Sequence, residues 1–287
     1  MRKTARYILL LLVLLLTSTT LKAQDIVIDS IIPRRVLVRT SSHGIALLNN
    51  LDTYLSGYNY TGLGYHYNLE NFRDAHFGSY KWKYQTLFNV TGGITELNSS
   101  TQYSLMANRF WSGYHPFEIG ERTQLLAGVQ IQLSGGALYI PANGNNLVSA
   151  KLRLALAASG MAIYHIPIRG RDHVARYQLD IPLAGAMFSP EFGQSYYEIF
   201  GLGHCANTWH YAHPFNSPSW RHTVSFDIPI GSNRRNVTLR LSYIADLYQS
   251  EVNDLRTHLY NHAFTFGFVK TLYKVKQGDP IKAYTPY

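Results

Sequence analysis

The sequence has little cysteine, little charge and no long internal apolar run, and each shortage excludes a class of protein. Cys205 is the only cysteine among the 287 residues, so a secreted module held by intramolecular disulfides is excluded. Charged residues make up 15% of the chain, below the roughly 25% of an ordinary soluble domain. The longest internal apolar stretch, 152–164, is interrupted by Arg153 and Gly160, so no internal membrane helix is predicted.

The N-terminus, MRKTARYILLLLVLLLTSTTLKA, has the pattern of a secretory signal peptide. Basic residues precede a short apolar run, which is followed by polar residues and Ala23. The run is shorter than the about 20 apolar residues that an uncleaved membrane anchor requires. We therefore predict a signal peptide over residues 1–23 and a mature chain that begins near Gln24.

The charge of the mature chain is mildly positive and dispersed. The whole chain has 26 Lys or Arg and 17 Asp or Glu; without the four basic residues of the signal peptide, 22 remain against 17, a net charge of +5. Because these basic residues are scattered along the sequence, we expect no nucleic acid partner.

Apolar and polar residues alternate with period two through the mature chain, which predicts β-strands. In ERTQLLAGVQIQL, Leu125, Val129 and Ile131 share one face, and Gln130 and Gln132 share the other. Similar alternation occurs in KWKYQTLFNV, AKLRLALAA, ARYQLDIPL, TVSFDIPI, NVTLRLSY and HAFTFGFVK. We count at least ten candidate strands, with a further one at GMAIYHIPI, separated by turn sequences such as PANGNN, IRGRD and GSNRRN.

This pattern fits two architectures that differ in which face meets water. A soluble β-sandwich buries the apolar face against a second sheet, whereas a transmembrane barrel presents it to lipid and encloses the polar face. The export signal, the low charge and the aromatic strand ends favour an all-β, antiparallel up-and-down transmembrane β-barrel of about 12 strands, range 10–14. A soluble periplasmic β-sandwich binding protein remains an alternative. Pro182 and Pro229 each require a bulge or a sheet edge.

The barrel interpretation divides the chain into four segments. Residues 1–23 are the signal peptide, 24–57 an N-terminal lead-in, 58–273 the barrel and 274–287 a C-terminal tail. Within the lead-in, HGIALLNNLDTYLS fits a short helix or an irregular segment.

The same alternation predicts a set of charged side chains inside the barrel. They are Lys81, Lys83, Arg153, Arg176, Asp180, Asp227 and Arg240. Their basic excess predicts a preference for small anionic solutes if the lumen conducts. The alternative is that the charges pair across strands and fill a lumen too narrow to conduct. On the first interpretation, Arg240→Ala changes conductance and leaves assembly largely intact.

The stretch FSPEFGQSYYEIFGLGH, residues 188–204, holds three weak candidates for a catalytic site, Ser195, Glu198 and His204. Outer-membrane phospholipases and lipid A deacylases hydrolyse acyl esters with a serine that a histidine activates. Ser195 and His204 are nine positions apart, roughly 30 Å on an extended strand. We therefore expect no catalytic pair here, and interpret YYEIFGLG as a strand whose tyrosines lie at the membrane interface.

The neighbouring stretch GHCANTWHYAHPF offers weak candidates for metal ligands in His204, Cys205, His210 and His213. Their spacing is loose and no acidic residue accompanies them. We expect no metal site and no cofactor.

Three segments carry a resemblance to a known family: SGMAIYHIPI, RYQLDIPLAGAMFSPEFGQSYYEIFGLG and HAFTFGFVKTLY. They resemble the signature segments of a family of Gram-negative envelope proteins known only as a domain of unknown function. The resemblance covers most of the mature chain and implies an envelope location, but the family has no assigned activity.

Two hypotheses on function remain. The first is a non-enzymatic outer-membrane barrel, which serves as a small channel, a ligand-binding barrel or a structural component. The second is an outer-membrane lipid hydrolase, which fold-level analogy alone supports. Both have outer-membrane lipid as a partner, and the sequence leaves the oligomeric state open.

Overall fold

The computed structural model describes residues 35–77, 80–144, 146–230 and 237–274. The signal peptide, the first part of the lead-in, nearly all of the tail and the predicted turn GSNRRN lie outside these residues. Within them, no helix combines the length and the apolar character needed to cross a membrane.

Eleven strands and one short helix follow one another along the described chain. The strands are β1 (Arg35–Asp52), β2 (Ser56–Phe77), β3 (Tyr80–Leu97), β4 (Ser100–Ile119), β5 (Thr123–Tyr139), β6 (Val148–Ile168), β7 (Arg171–Phe188), β8 (Trp209–Ala212), β9 (Ser219–Pro229), β10 (Thr238–Val252) and β11 (Leu255–Lys274). A single π-helical turn, η1 (Tyr197–Gly201), lies between β7 and β8.

The strands close into an antiparallel barrel. Each wall strand pairs with the next wall strand along the chain, β7 pairs with β9, and β1 pairs with β11 to complete the ring. Ten strands form the wall. The remaining strand, β8, pairs only with β7, on the same edge of β7 that pairs with β9. The predicted barrel is thus confirmed, with ten strands, and the soluble sandwich of two sheets is excluded because the sheet has no open ends.

The predicted lead-in is wrong over residues 35–57, because the barrel begins with β1 at Arg35 and not at residue 58. Residues 24–34 lie outside the described part of the chain. Arg35–Asp52 pairs with β11 along its whole length and with β2 on the other edge. The alternation was hidden because both faces are apolar here: Ile45 and Leu47 are exposed, whereas Ala46 and Leu48 are buried inside the barrel. A period-two pattern needs polar residues on one face to be visible.

The two candidate strands in AKLRLALAA and GMAIYHIPI are one strand, β6, of 21 residues. Gly160 does not interrupt it, because this residue pairs with Ala127 of β5 and Leu179 of β7. Nine of the ten wall strands have 15 to 22 residues, more than the about 9–11 that a tilted strand needs to cross the hydrocarbon layer, so they continue past it. The exception is β9, with 11 residues.

The two faces of the wall differ in polarity. Large apolar side chains point outward, among them Val129, Leu154 and Phe264, which are 61%, 52% and 58% exposed. Arg109 also points outward between such strands, with its guanidinium 5.5 Å from the Trp111 ring. The inward side chains of the same strands include many buried Gln, Asn, Ser and Thr residues. This inside-out distribution is that of a transmembrane barrel.

Both prolines lie where the hydrogen-bond ladder tolerates them. Pro182 lies at a register shift, where Ala157 pairs with Pro182 and Leu156 with Ala184. Pro229 is the last residue of β9. Because proline has no N–H to donate, a bulge and a strand end are the expected places for it.

The barrel has two distinct ends. At one, which we call the terminal end, β1 begins at Arg35 opposite Lys274 of β11. At the other, the loop end, β7 is followed by the long segment 189–208 that contains η1. Apolar clusters occupy the interior towards both ends, around Tyr114 and Met161 near the terminal end and around Tyr54 and Leu138 near the loop end.

Candidate functional site: the barrel interior

A network of buried charges crosses the middle of the barrel. Glu70 of β2 accepts hydrogen bonds from Arg176 of β7, at 2.7 Å between Oε1 and Nη2, and from Arg240 of β10. Arg240 also holds Asp227 of β9 through two contacts of 2.6 Å. All four residues are at most 5% exposed. Because β2 and β7 are five places apart in the ten-stranded ring, the Glu70–Arg176 contact joins opposite walls.

Neutral polar groups extend this network, which we call the central belt. Gln85 donates to Glu70 at 2.6 Å and to Gln178 at 3.0 Å. Tyr114 contacts Gln85 at 2.9 Å and Ser159 at 2.8 Å, and Gln178 donates to Asp180 at 3.0 Å. The central belt therefore fills the cross-section between β2, β3, β4, β6 and β7, since buried polar groups of a narrow barrel satisfy one another across the lumen.

A second contact across the barrel lies nearer the loop end. Lys151 of β6 forms an ion pair with Asp52 of β1 at 2.8 Å and donates to Thr257 at 3.2 Å. Strands β1 and β6 are also five places apart in the ring. Above this level the Tyr54 hydroxyl donates to the Gln194 carbonyl at 2.8 Å, and burial raises the pKa of that hydroxyl. The loop end is thus also spanned by contacts.

A cavity lies between these two levels, in the loop-end half of the barrel. The cavity volume open to the centres of water molecules is about 80 Å³. On the same measure one buried water needs roughly 10–15 Å³. Its lining extends from Arg221 to Lys151 and combines apolar residues such as Leu48 and Phe110 with the polar Arg153. The cavity can therefore hold a small ligand or several waters.

The cations of the cavity have unequal partners. Lys151 is paired with Asp52, whereas Arg153 donates to neutral oxygens, at 2.8 Å to Ser219 and 3.3 Å to Gln132. Arg221 is 3% exposed, and none of its three guanidinium nitrogens has a hydrogen-bond partner among the described residues.

The other predicted interior residues occupy less central positions. Lys83 forms an ion pair with Asp74 at 3.0 Å near the terminal end. Lys81 lies two residues nearer that end and is exposed. Arg176, Asp180, Asp227 and Arg240 meet in or beside the central belt, and Arg153 lines the cavity.

Ser195 and Glu198 form a cap for η1, so the predicted strand at YYEIFGLG is wrong. The Ser195 N–H and hydroxyl donate to Glu198 Oε2 at 2.7 and 2.9 Å, and the Glu198 N–H donates to Ser195 Oγ at 3.2 Å. This reciprocal arrangement is a capping box, encoded by a serine three residues before a glutamate. The hydrogen bonds from Ser195 hold the pKa of the Glu198 carboxyl below its usual value.

The extended-strand distance assumed between Ser195 and His204 is therefore also wrong. The chain turns back, so that the His204 N–H donates to the Glu198 carbonyl at 3.0 Å. Ser195 nevertheless hydrogen-bonds to Glu198, and within the described chain no hydrogen bond links its hydroxyl to an imidazole. These three residues form a folded turn without the contact that a serine nucleophile needs.

The candidate metal ligands have separate roles. His210 contacts the Asn207 carbonyl at 2.7 Å and Asn253 at 2.9 Å, and His213 accepts from the Phe215 N–H at 3.2 Å. The Cys205 thiol donates to the Ile199 carbonyl at 3.4 Å. Over the described ranges, no three His, Cys, Asp or Glu side chains gather as a ligand set.

One hydroxyl–imidazole pair lies inside the barrel. The Thr91 hydroxyl is 2.8 Å from Nδ1 of His66, and Thr91 also lines the cavity. Nε2 of His66 has no hydrogen-bond partner among the described residues. A hydrolytic base needs a third group to fix its orientation and tautomer, so this pair lacks one component of such a site.

Sequence reasoning missed Glu70 and Arg221, the residues on which the interior depends most. Both follow the alternation: Glu70 lies between outward Leu69 and Asn71, and Arg221 follows outward Trp220. The strands containing them were ended too early at Tyr67 and begun too late after His222. Extending each alternation to the next turn would have found both.

The comparisons with known proteins give a family. A family model described as a protein of unknown function, DUF3316, matches residues 7–279. The chain belongs to this family. No curated protein matches the sequence.

Solved structures similar to this DUF3316 chain are outer-membrane barrels. The β domain of the Bordetella autotransporter BrkA is 10% identical, with a TM-score of 0.39, over 84% of this chain and 98% of that one. An outer membrane channel from Pseudomonas putida F1 is 8% identical, with a TM-score of 0.36, over 88% and 100%. The transport unit of the Escherichia coli autotransporter AIDA-I is 8% identical, with a TM-score of 0.37, over 90% and 94%. These likenesses are distant, and the closure of the barrel rests on this chain's own strand pairing.

Proposed function

We propose that this protein is a non-enzymatic outer-membrane barrel that is closed to free diffusion and binds a small ligand in its interior cavity. The observation that carries the proposal is the pair of contacts across the barrel. Glu70–Arg176 and Lys151–Asp52 each join opposite walls, with the cavity between them. An open channel needs a continuous wet path along its axis.

The anion preference predicted from the sequence loses its basis in this proposal. Arg176 and Arg240 are bound to the carboxylates of Glu70 and Asp227. Paired, buried cations do not attract a passing anion as free ones do, because the neighbouring carboxylate offsets their field. The lipid hydrolase finds no support in the contacts of Ser195 or of His66.

The outer membrane is the location that the outward apolar face and the export signal support. Outer-membrane barrels have short periplasmic turns and longer external loops. The segment 189–208 is the longest connection between described strands, so we place the loop end outside and the terminal end in the periplasm.

The proposal is tested by fractionation and by conductance. The mature chain should remain with the outer membrane after a carbonate wash and migrate differently on a detergent gel before and after heating. Folded protein in planar bilayers should give no stable unitary conductance in about 1 M KCl. At this concentration small pores are visible, and the salt also screens the interior charges. Stable openings in independent reconstitutions, with detergent alone as the blank, would refute the closed barrel.

A further inference from the structure

The wall of the barrel has a gap between β7 and β9. Their ladder ends at Asp180–Arg221, and β7 next pairs at Gly185, with Ala212 of β8. Residues 181–184 thus have no ladder partner on this edge among the described strands. Pro182 lies within this stretch, where a residue without an N–H removes one donor that would otherwise be unpaired.

In the described part of the chain, the segment next to the gap, residues 213–218, is hydrogen-bonded to β10 and not to β7. Between β8 and β9, residues 213–218 turn away from β7 and remain attached to β10. The Gln249 N–H donates to the Pro218 carbonyl at 3.0 Å, and the Glu251 N–H to the Asn216 carbonyl at 2.9 Å. The opening is therefore confined to the β7 side of this segment.

The interior cavity reaches this gap. Its lining includes Ser219 and Arg221 of β9, which are buried and lie beside the gap. Pro182, within the unpaired stretch 181–184, also lines the cavity, so the cavity lies against the inner side of the gap. Since contacts across the barrel span it towards both ends, the side gap is the open route into the cavity.

Arg221 lies at the inner end of this route, and its guanidinium has no hydrogen-bond partner in the described part of the chain. Its guanidinium stacks on the Phe110 ring, with Cζ 4.7 Å from the centroid, which holds the side chain in place. Asp180 and Asp246 are its partners in the strand register, but over the described ranges neither carboxylate accepts a hydrogen bond from its guanidinium. A buried guanidinium with unused donors fits a planar or tetrahedral anion through paired hydrogen bonds.

Resting on the closed barrel proposed above, we infer that the cavity binds a single-chain amphiphile with an anionic head group. The carboxylate or phosphate head lies against Arg221, with Arg153 beside it, and the acyl chain passes through the gap between β7 and β9 to the membrane. The outward Ile181, Leu183 and Trp220 border this path with apolar surface. The ligand thus enters from the lipid layer and not from the aqueous phase.

The test uses the full mature chain in nanodiscs of phosphatidylcholine, with Trp220 as the reporter. Phe replaces Trp82, Trp111 and Trp209, the other three of the four tryptophans. 9,10-Dibromostearate is added at low mole fraction, and quenching of Trp220 is followed. We expect a saturable component that oleate or lysophosphatidate removes and hexadecanol, which has no charge, does not. Whichever anion displaces the probe at the lower concentration identifies the head group.

Arg221→Gln should weaken the saturable binding at least tenfold, because the hydrogen bonds to the charged head are lost. Arg256→Gln is the matched control, since it removes a charge from an exposed side chain at the loop end, and should leave binding unchanged. Linear quenching in the parent, or equal competition by hexadecanol and oleate, overturns the amphiphile site. Both results are obtained without the Arg221 variant, so they do not depend on whether that variant folds. Such a result with a non-conducting barrel leaves the proposed function intact, whereas unitary conductance refutes the proposed function whatever the quenching.

Discussion

Arg240 shows how burial changes the effect that is expected when one charged side chain is removed. The alternation of NVTLRLSY sends it inward, which supported the expectation that its removal would alter conductance and little else. In the structure it binds Glu70 and Asp227, and all three residues are at most 4% exposed. Its removal therefore leaves two buried carboxylates. Glu70 keeps Arg176 and Gln85, whereas Asp227 keeps no side-chain partner among the described residues. The expectation of an intact barrel has to be replaced.

We predict that Arg240→Ala destabilises the barrel by about 3–5 kcal/mol, the range for breaking a buried ion pair by removing one partner. Urea unfolding in lipid vesicles, followed by the heat-dependent gel shift, measures the change. Arg256→Ala is the control, because its pair with Glu251 has side chains 70% and 66% exposed and should contribute about 0–1 kcal/mol. Equal midpoints for the parent and Arg240→Ala would contradict the central belt.

At the scale of elements, the sequence around η1 contains two competing local signals, an alternation typical of a strand and a capping box typical of a helical turn. The alternation of aromatic residues in YYEIFGLG suggested a strand, but Ser195 and Glu198 stand three apart, as a capping box requires. Their hydrogen bonds fix the first turn, and the chain returns so that His204 reaches the Glu198 carbonyl. Phe188, Tyr196 and Phe200 then stack, with centroids 6.0 to 6.4 Å apart. The exposed aromatic rings therefore belong to a folded loop at the barrel end.

We predict that Ser195→Ala loosens this loop and leaves the barrel unchanged. Losing a cap of this kind costs about 1 kcal/mol, so amide exchange at Ile199 and His204 should be about fivefold faster. Ser250→Ala, in β10, is the control. Exchange at these amides that is unchanged in Ser195→Ala would show that the capping box does not order the loop.

The same cap predicts a pH dependence with a definite sign. Because hydrogen bonds from Ser195 lower the pKa of Glu198 in the folded loop, ionised Glu198 stabilises the loop at neutral pH. That contribution is lost as the pH falls through the lowered pKa, so exchange in the loop should accelerate only under acidic conditions. In Glu198→Gln this acid step should be absent, and a step that persists would assign the pH dependence to another group.

At the scale of the molecule, closure makes every strand indispensable. β1 pairs with β11 along all 18 of its residues and with β2 from Leu37 to Asp52. Without it the sheet would have two long unpaired edges in lipid. We predict that a chain lacking residues 24–57 does not assemble in membranes and shows no heat-dependent gel shift, with the full mature chain as the positive control. If these residues were a lead-in, the shortened chain would fold.

The sequence by itself determined which side chains face lipid and which face the interior, because alternation along a strand is a local property of two successive residues. It also indicated the antiparallel order of the strands and the bulge or strand end that Pro182 and Pro229 require. It did not determine the number of strands, the membership of β1, or the pairing of Glu70 with Arg176 and Arg240, 106 and 170 positions away. Those contacts exist only because ten strands close into a ring narrow enough for opposite walls to touch. The cavity beside Arg221 and the gap beside Pro182 are likewise features of how the closed wall fits together, which no single strand encodes.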